Sequence, residues 1–424
     1  VKTSHVIHRL ARLWALAGLM LLALNLRAAI SGISPILGRL QDTFHLTGTQ
    51  VSVLTTLPVL CLGVFASLAP PIARRIGTET TVTAALVILT AGILLRAFPS
   101  PWALFAGTVL AGAGIALGNV LLPAVIKRHF ATRIGSLTGL AMMLMAAGGA
   151  VAAALAIPLA DTAGWRIALA VWALPALLAA LTWGPLAVRG HRRRVPLPDT
   201  RPDPTASLLR SPLAWAVAAF LGLVSLMFYA LMAWLPEIMH ADGYEPAEAG
   251  LMVSVMQIIS IPLGFAVPVV ATRMATQRPL VTAVAATKAA ALAGLLLAPE
   301  AGWVWICVLG VATGSAFPLA FTLLSLRSPT PQIAARLSGM AQTGGYLIAG
   351  AGPLMIGLLH AVTGGWRTPL LLLLVLLVPE AVFGLLAGRP AYVHPGGHSG
   401  TGSDLPVQAA PHLCRPAHPG ARGG

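Results

Sequence analysis

The chain has 424 residues, 57% of them hydrophobic and 9% charged, with a mean hydropathy of +0.85. Soluble domains carry nearer about 25% charge, so this composition excludes an ordinary soluble fold and requires a lipid-facing surface. The net charge of +15 does not indicate nucleic acid, because the basic residues punctuate apolar runs instead of gathering on one folded face.

In chain order, Lys2, Arg9 and Arg12 precede a short apolar stretch that imitates a signal peptide. Apolarity resumes through Ile36 after the Asn25-Leu26-Arg27 interruption, so the segment reads as an uncleaved first span. Further apolar stretches, each near the roughly 20 residues that a crossing helix needs, fall at 51–73, 80–98, 102–126, 135–160 and 166–188, then at 212–236, 249–272, 279–298, 303–326, 337–362 and 367–387. Counting 13–36, that is six spans and six. The expected organisation is a cytoplasmic N-terminus at 1–12, a six-helix bundle at 13–188, a cytoplasmic linker at 189–211, a second bundle at 212–387 and a disordered cytoplasmic tail at 388–424.

The two halves repeat. "LTGLA" at 137–141 matches "LSGMA" at 337–341, "GWR" at 164–166 matches "GWR" at 365–367, and Leu62-Gly63 matches Leu263-Gly264, always at an offset of 200 or 201 residues. Parallel six-helix repeats are the pattern of major facilitator carriers. The basic residues set the orientation. With the N-terminus inside, the loops carrying Arg74, Arg75, Lys127, Arg128, Arg273 and Arg327 and the Arg-rich linker are cytoplasmic, whereas Arg39, Arg96, Arg166 and Arg367 fall outside. Both termini are then cytoplasmic.

No G-x-x-x-x-G-K occurs, so the chain does not supply its own ATP-hydrolysing P-loop. H-E-x-x-H and G-x-S-x-G are also missing, and no nucleophile and base set replaces them, so an enzyme is not expected. Cys61, Cys307 and Cys414 form no C-x-x-C, and the tail histidines His394, His398, His412 and His418 sit among Gly and Pro, so no metal or cofactor is expected either. Gly114-x-x-x-Gly118 lies inside a span and reads as close helix packing. Trp165 and Trp366 read as interfacial anchors, with Arg166 and Arg367 reaching headgroups.

"NLRAAISGISPIL", "LTTLPVLCLGVFASLAP", "GAGIALGNVLLPAVIKRHF", "FYALMAWLPEIMHADGYEPAEAGLMVSVMQIISIP", "FPLAFTLLSLR" and "LSGMAQTGGYLIAGAGPLMIGLLH" resemble the cyanate and 2-nitroimidazole transporter (CynX/NimT) family of the major facilitator superfamily. The resemblance runs from about residue 13 to 387. It implies an all-α membrane protein of twelve transmembrane helices in two six-helix bundles, acting as a secondary carrier of small anions or nitro-aromatics in a bacterial inner membrane. One departure is that "PPIARRIGTE" puts Arg74 where the superfamily's loop between spans two and three usually has Asp, which puts the usual aspartate gate lock in doubt. The fifth span also lacks the Gly-Pro dipeptide of multidrug antiporters, which favours uptake over export.

Such a fold binds its solute between the bundles near the midplane. Arg27 lies roughly 21 Å along the helix from Leu13, past the middle of a hydrocarbon core about 30 Å thick, where insertion scales charge it about 2.5 to 3.5 kcal/mol. Its guanidinium stays protonated, so it must face water, a carboxylate or an anion. It is read as the substrate's counter-charge, with capping of carbonyls freed near Pro35 as the structural alternative. Ser31 and Ser34 continue its stripe. Asn25, Asn119, Phe228, Tyr229, Trp234, Gln257, Gln342 and Tyr346 complete the candidate substrate-binding set, although Asn119 and Gln257 could equally join helices to one another. Lys288 and Glu380 are expected to form a structural ion pair. The remaining expectations are a small-molecule substrate, lipid bilayer contact, an optional co-transported proton, no nucleic-acid partner and a monomer. A drug or metabolite exporter of the same fold and a non-transporting membrane sensor are the rival readings.

Overall fold

The computed structural model describes residues 2–192 and 208–393; side chains of 2–12, 34, 48, 49, 52, 189–192, 246 and 247 lie outside that description. The linker core and the tail beyond 393, its histidines and Cys414 included, therefore fall outside the described residues. The described chain is built of α1 (Lys2–Ser31), α2 (Leu37–Phe44), α3 (Gly48–Ala66), α4 (Ala69–Ile76), α5 (Thr78–Arg96), α6 (Pro101–His129), α7 (Ile134–Ala163), α8 (Trp165–Ala170), α9 (Ala173–Arg192), α10 (Pro212–Ala241), α11 (Pro246–Arg273), α12 (Arg278–Leu297), α13 (Gly302–Leu326), α14 (Pro331–Thr363) and α15 (Arg367–Ala387). Eleven of these segments are long and apolar enough to cross a membrane, and α3 with α4, bent by 51°, makes a twelfth. Spans one to six are α1, α3 with α4, α5, α6, α7 and α8 with α9; spans seven to twelve are α10 to α15.

The helices begin where the sequence supplies caps. Ser211 accepts from the Ala214 N–H and Thr330 from the Ile333 N–H, each with a proline next in line, and Thr47 and Gln50 form a reciprocal capping box. The first span departs from expectation. It ends at Ser31, short of Ile36, and a tight turn over Ser34–Ile36 leads into α2. Pro35 has no N–H and biases the residue before it away from helix, which breaks the ladder there.

Within the N-terminal bundle, small residues let backbones touch. A Cβ on Gly114 would lie 2.6 Å from the Ala85 carbonyl oxygen, and one on Gly118 2.6 Å from Leu26, so the glycines serve packing. Between the bundles, the repeated motifs form the seam. Gly139 of α7 faces the Phe265 carbonyl of α11, while its counterpart Gly339 of α14 faces Pro70 and the Ala66 carbonyl. Gly63 of α3 meets Leu347 of α14, and its counterpart Gly264 of α11 meets Met142 of α7.

The seam is closed toward the end where Arg192 and Leu208 flank the linker. There Lys127 of α6 donates to the carbonyls of Ser325 (3.0 Å) and Ser328, at the C-terminal end of α13, where the helix dipole favours a cation. Toward the other end the same stripe of α11 continues from Pro268 and Gly264 to Gln257 and Ser254, and both of these are exposed. The structure is thus open at the end away from the linker.

Lys127→Ala removes this charged cross-bundle bond, worth about 1.5 to 3 kcal/mol. A cysteine placed at buried Ala66 should then react with maleimide from the linker side at least about tenfold faster as the closed population falls. Unchanged labelling would show that the latch carries no weight in the equilibrium.

Candidate functional site

Arg27 stands one turn before the end of α1. Beyond it the ladder changes step: the Ile33 N–H bonds to Ile30 and so leaves the Ala29 carbonyl free. Arg96, reaching across from α5, fills that vacancy with Nη1 at 2.6 Å from the Ala29 oxygen. Arg96 is 2% exposed; it is folded into the bundle and does not face external water. The carbonyl-capping role set out as the alternative for Arg27 is therefore occupied by Arg96.

Arg27 instead projects between the bundles. Its guanidinium carbon is 5.9 Å from the ring centroid of Phe228 on α10, within cation–π range. Tyr229 and Tyr346 both lie within its electrostatic reach, and Phe228 and Tyr229 meet edge to face at 5.5 Å. Room for the side chain comes from α7, where a Cβ on Gly149 would fall 3.3 Å from the Arg27 Cγ and 3.0 Å from the Ser31 hydroxyl. Arg27 is half-buried, and among the described residues it forms no ion pair.

One turn from Tyr346 toward the linker end, Gln342 is 1% exposed and Asn119 4%. The Gln342 amide donates to Ser338 Oγ at 2.7 Å and to the Asn119 carbonyl at 3.3 Å. This joins α14 to α6 and floors the space below Arg27. The side-chain oxygens of both amides are buried without a donor, and an orphaned buried acceptor costs about 1 to 3 kcal/mol. A ligand N–H or O–H, or an ordered water, is what such oxygens need.

The other candidates lie elsewhere. The Asn25 amide donates at 2.7 Å to Leu21 of its own helix. The Trp234 indole donates at 2.7 Å to the Pro353 carbonyl, and its ring packs 5.5 Å from Trp366, which stacks on His360 at 3.9 Å; these are contacts inside the C-terminal bundle. Gln257 is exposed on the open part of the seam, with Ser254 bonded to Gly250. Ser34 lies outside the described side chains. Lys288 Nζ and Glu380 Oε1 stand 2.5 Å apart, 1% and 2% exposed, between α12 and α15.

One polar partnership has no signal in the sequence. Glu79, buried at the head of α5, lies 2.9 Å from Arg128 Nε and 3.2 Å from His129 Nε2. The adjacent Gly148-Gly149 pair was the legible hint to Arg27's pocket, since it lets α7 approach α1 until a Cβ on Gly148 would be 2.5 Å from the Leu24 carbonyl.

Two bundles of spans, closed at one end around a cation, aromatic walls and an amide floor, define a membrane carrier that works between its halves. The sequence matches the Major Facilitator Superfamily model over residues 19–353. It is 38% identical to the 2-nitroimidazole transporter of Escherichia coli (strain K12) across 89% of this chain and 96% of that one, and 27% identical to the cyanate transport protein CynX of the same organism across 82% and 90%. The solved structure of the proton:xylose symporter XylE superposes with a TM-score of 0.71 at 14% identity, covering 90% of this chain and 96% of that one. The chain belongs to the Major Facilitator Superfamily, in the cyanate and 2-nitroimidazole transporter family, and is a multi-pass membrane transporter of small solutes.

Two substitution sets test the supporting structure. Arg96→Met leaves the Ala29 carbonyl unpaired and should lower stability by about 1 to 3 kcal/mol, seen as a lower melting temperature in detergent, with Arg96→Lys recovering most of it. Lys288→Met or Glu380→Leu alone strands a buried charge and should cost about 3 to 5 kcal/mol, whereas the double replacement should return close to wild type. A double variant worse than either single one would refute the pairing.

Proposed function

We propose that the protein moves a small planar anion, of the size of cyanate or a single aromatic ring, through the path between its bundles, with Arg27 as counter-charge. The observation that carries this reading is Arg27 itself: half-buried between the bundles, without an ion pair among the described residues, and facing an aromatic ring. A planar guanidinium fork recognises a planar anion through paired N–H donors, and Phe228, Tyr229 and Tyr346 supply flat apolar surface for a ring. The orphaned oxygens of Asn119 and Gln342 add acceptors for a hydroxyl or heterocyclic N–H, which suits nitro-heterocycles too. The two Escherichia coli relatives are named for cyanate and for 2-nitroimidazole, both small and planar.

The excess of Lys and Arg at the linker end supports a cytoplasmic position for that end. The protein then sits in a bacterial inner membrane as a monomer with both termini inside, and its open end faces outward.

A thermal-shift screen with cyanate, benzoate and 2-nitroimidazole tests the class, since a ligand at a hundredfold excess over its Kd stabilises by about 2.7 kcal/mol. Arg27→Lys should keep transport with KM raised about tenfold, the loss of one charge-assisted hydrogen bond. Arg27→Gln should abolish anion transport with the protein still folded in the membrane. Saturable anion uptake at the wild-type KM by Arg27→Gln would remove the proposal.

A further inference from the structure

We infer that this carrier is an obligate anion exchanger: its site crosses the membrane at speed only when occupied, so one planar anion moves in for each that moves out. The inference rests on the reading of Arg27 as the substrate's counter-charge and follows from what else the chain could use to neutralise it.

The acidic residues are few enough to place. Of twelve Asp and Glu, the one in mid-span is Glu380, and Lys288 holds it at 2.5 Å. Glu79 is engaged by Arg128 and His129 at the linker end, and Asp161 by Arg39 at the other. The remainder lie in connections, in the linker and tail, or close to helix ends. On the helices that hold the site, Glu237 of α10 is the nearest acid along the chain, about 13 Å of helix rise beyond Phe228. Proton uptake or release offers no substitute. Arginine does not deprotonate in proteins. Among the described residues, titratable groups in its reach include the phenols of Tyr229 and Tyr346, a side chain whose ordinary pKa is about 10. His129 lies against Glu79 at the linker end, and His360 stacks on Trp366 within the C-terminal bundle.

In the open structure water can hydrate the half-buried guanidinium. Alternating access requires the open end to close before the linker end parts, and closure withdraws that water. An empty site then encloses a charge with no counter-ion, the arrangement that buried charges avoid most strongly. An occupied site encloses a neutral pair, with the anion on the guanidinium fork and the ring against Phe228. The return of the empty carrier is thus the slow step, and a second anion on the far side removes it. Each cycle moves one negative charge each way and no net charge.

The test uses the wild-type carrier in proteoliposomes filled with unlabelled benzoate or with gluconate, at mildly alkaline pH and with the potential held by potassium and valinomycin. Initial uptake of labelled benzoate should be at least about tenfold faster into benzoate-filled vesicles, a difference of about 1.4 kcal/mol in barrier. Equal rates in the two sets, both above protein-free liposomes, overturn the exchange and leave Arg27-dependent anion transport standing. An imposed proton gradient that brings gluconate-filled vesicles up to the benzoate-filled rate overturns it as well. Uptake in neither set also rejects it: with thermal stabilisation by benzoate the protein is a binder only, and without stabilisation by benzoate or cyanate the Arg27 reading falls with it.

Discussion

Hydrocarbon offers no hydrogen bonds, so every polar group carried into the membrane has to find its partner within the protein. Most of the polar chemistry here is an answer to that constraint. Thr90, Thr108, Thr313, Ser315 and Thr322 each donate back to the carbonyl four residues earlier. Lys288 and Glu380 close on each other, and Arg96 closes on a carbonyl that the break in α1 had stranded. Among the groups left over, one amide oxygen from each bundle, in Asn119 and Gln342, joins the Arg27 guanidinium between the bundles, while others, such as Arg96 Nε and Nη2, Thr138 Oγ1, Trp172 Nε1 and Glu380 Oε2, are scattered through the helices. For the two amide oxygens, a ligand or an ordered water is the partner that the fold has not supplied.

The same constraint shapes the seam. Two helices slide or rock past one another most easily where no polar side chain has to be unpaired, and the cross-bundle contacts of Gly139, Gly339, Gly63 and Gly264 are backbone and apolar surface. Polar joints across the seam include the Lys127 contacts with α13 and the Gln342 contact with Asn119. Lys127 places a cation against the carbonyl end of a helix, on a chain that has Arg74 at the position of the usual gate aspartate. The closed end is thereby held by a charge and a dipole, a bond strong enough to favour one state and local enough to be broken by rocking.

Arg27 and Arg96 show how the same residue type is divided between two tasks. Both approach the last turns of α1, and both meet low dielectric. Arg96 lies behind that helix and fixes its end; Arg27 lies in front, between the bundles, with an aromatic ring as its neighbour. The pocket for Arg27 exists because Gly149 has no side chain to fill it. The placement of Arg27 therefore depends on α5 and α7 as much as on the helix that bears it.

The sequence by itself determined the span count, the two-fold repetition and the candidate charge, because these rest on local properties: the length of apolar runs, matched motifs at one offset, and the cost of an arginine at mid-membrane depth. It also marked Lys288 and Glu380 as lone charges in their spans. What each polar residue touches was decided by tertiary structure. Asn25 and Trp234 have the right chemistry for a binding site, but Asn25 turns into its own helix and Trp234 into α14. Arg96 looked like an external charge and proved to be a buried cap. The reason is geometric. A helix fixes which residues share a stripe, but its rotation against its neighbours decides which stripe meets the cavity, and that rotation is set by close packing at glycines such as Gly118, Gly148 and Gly149, whose partners lie far away in the chain.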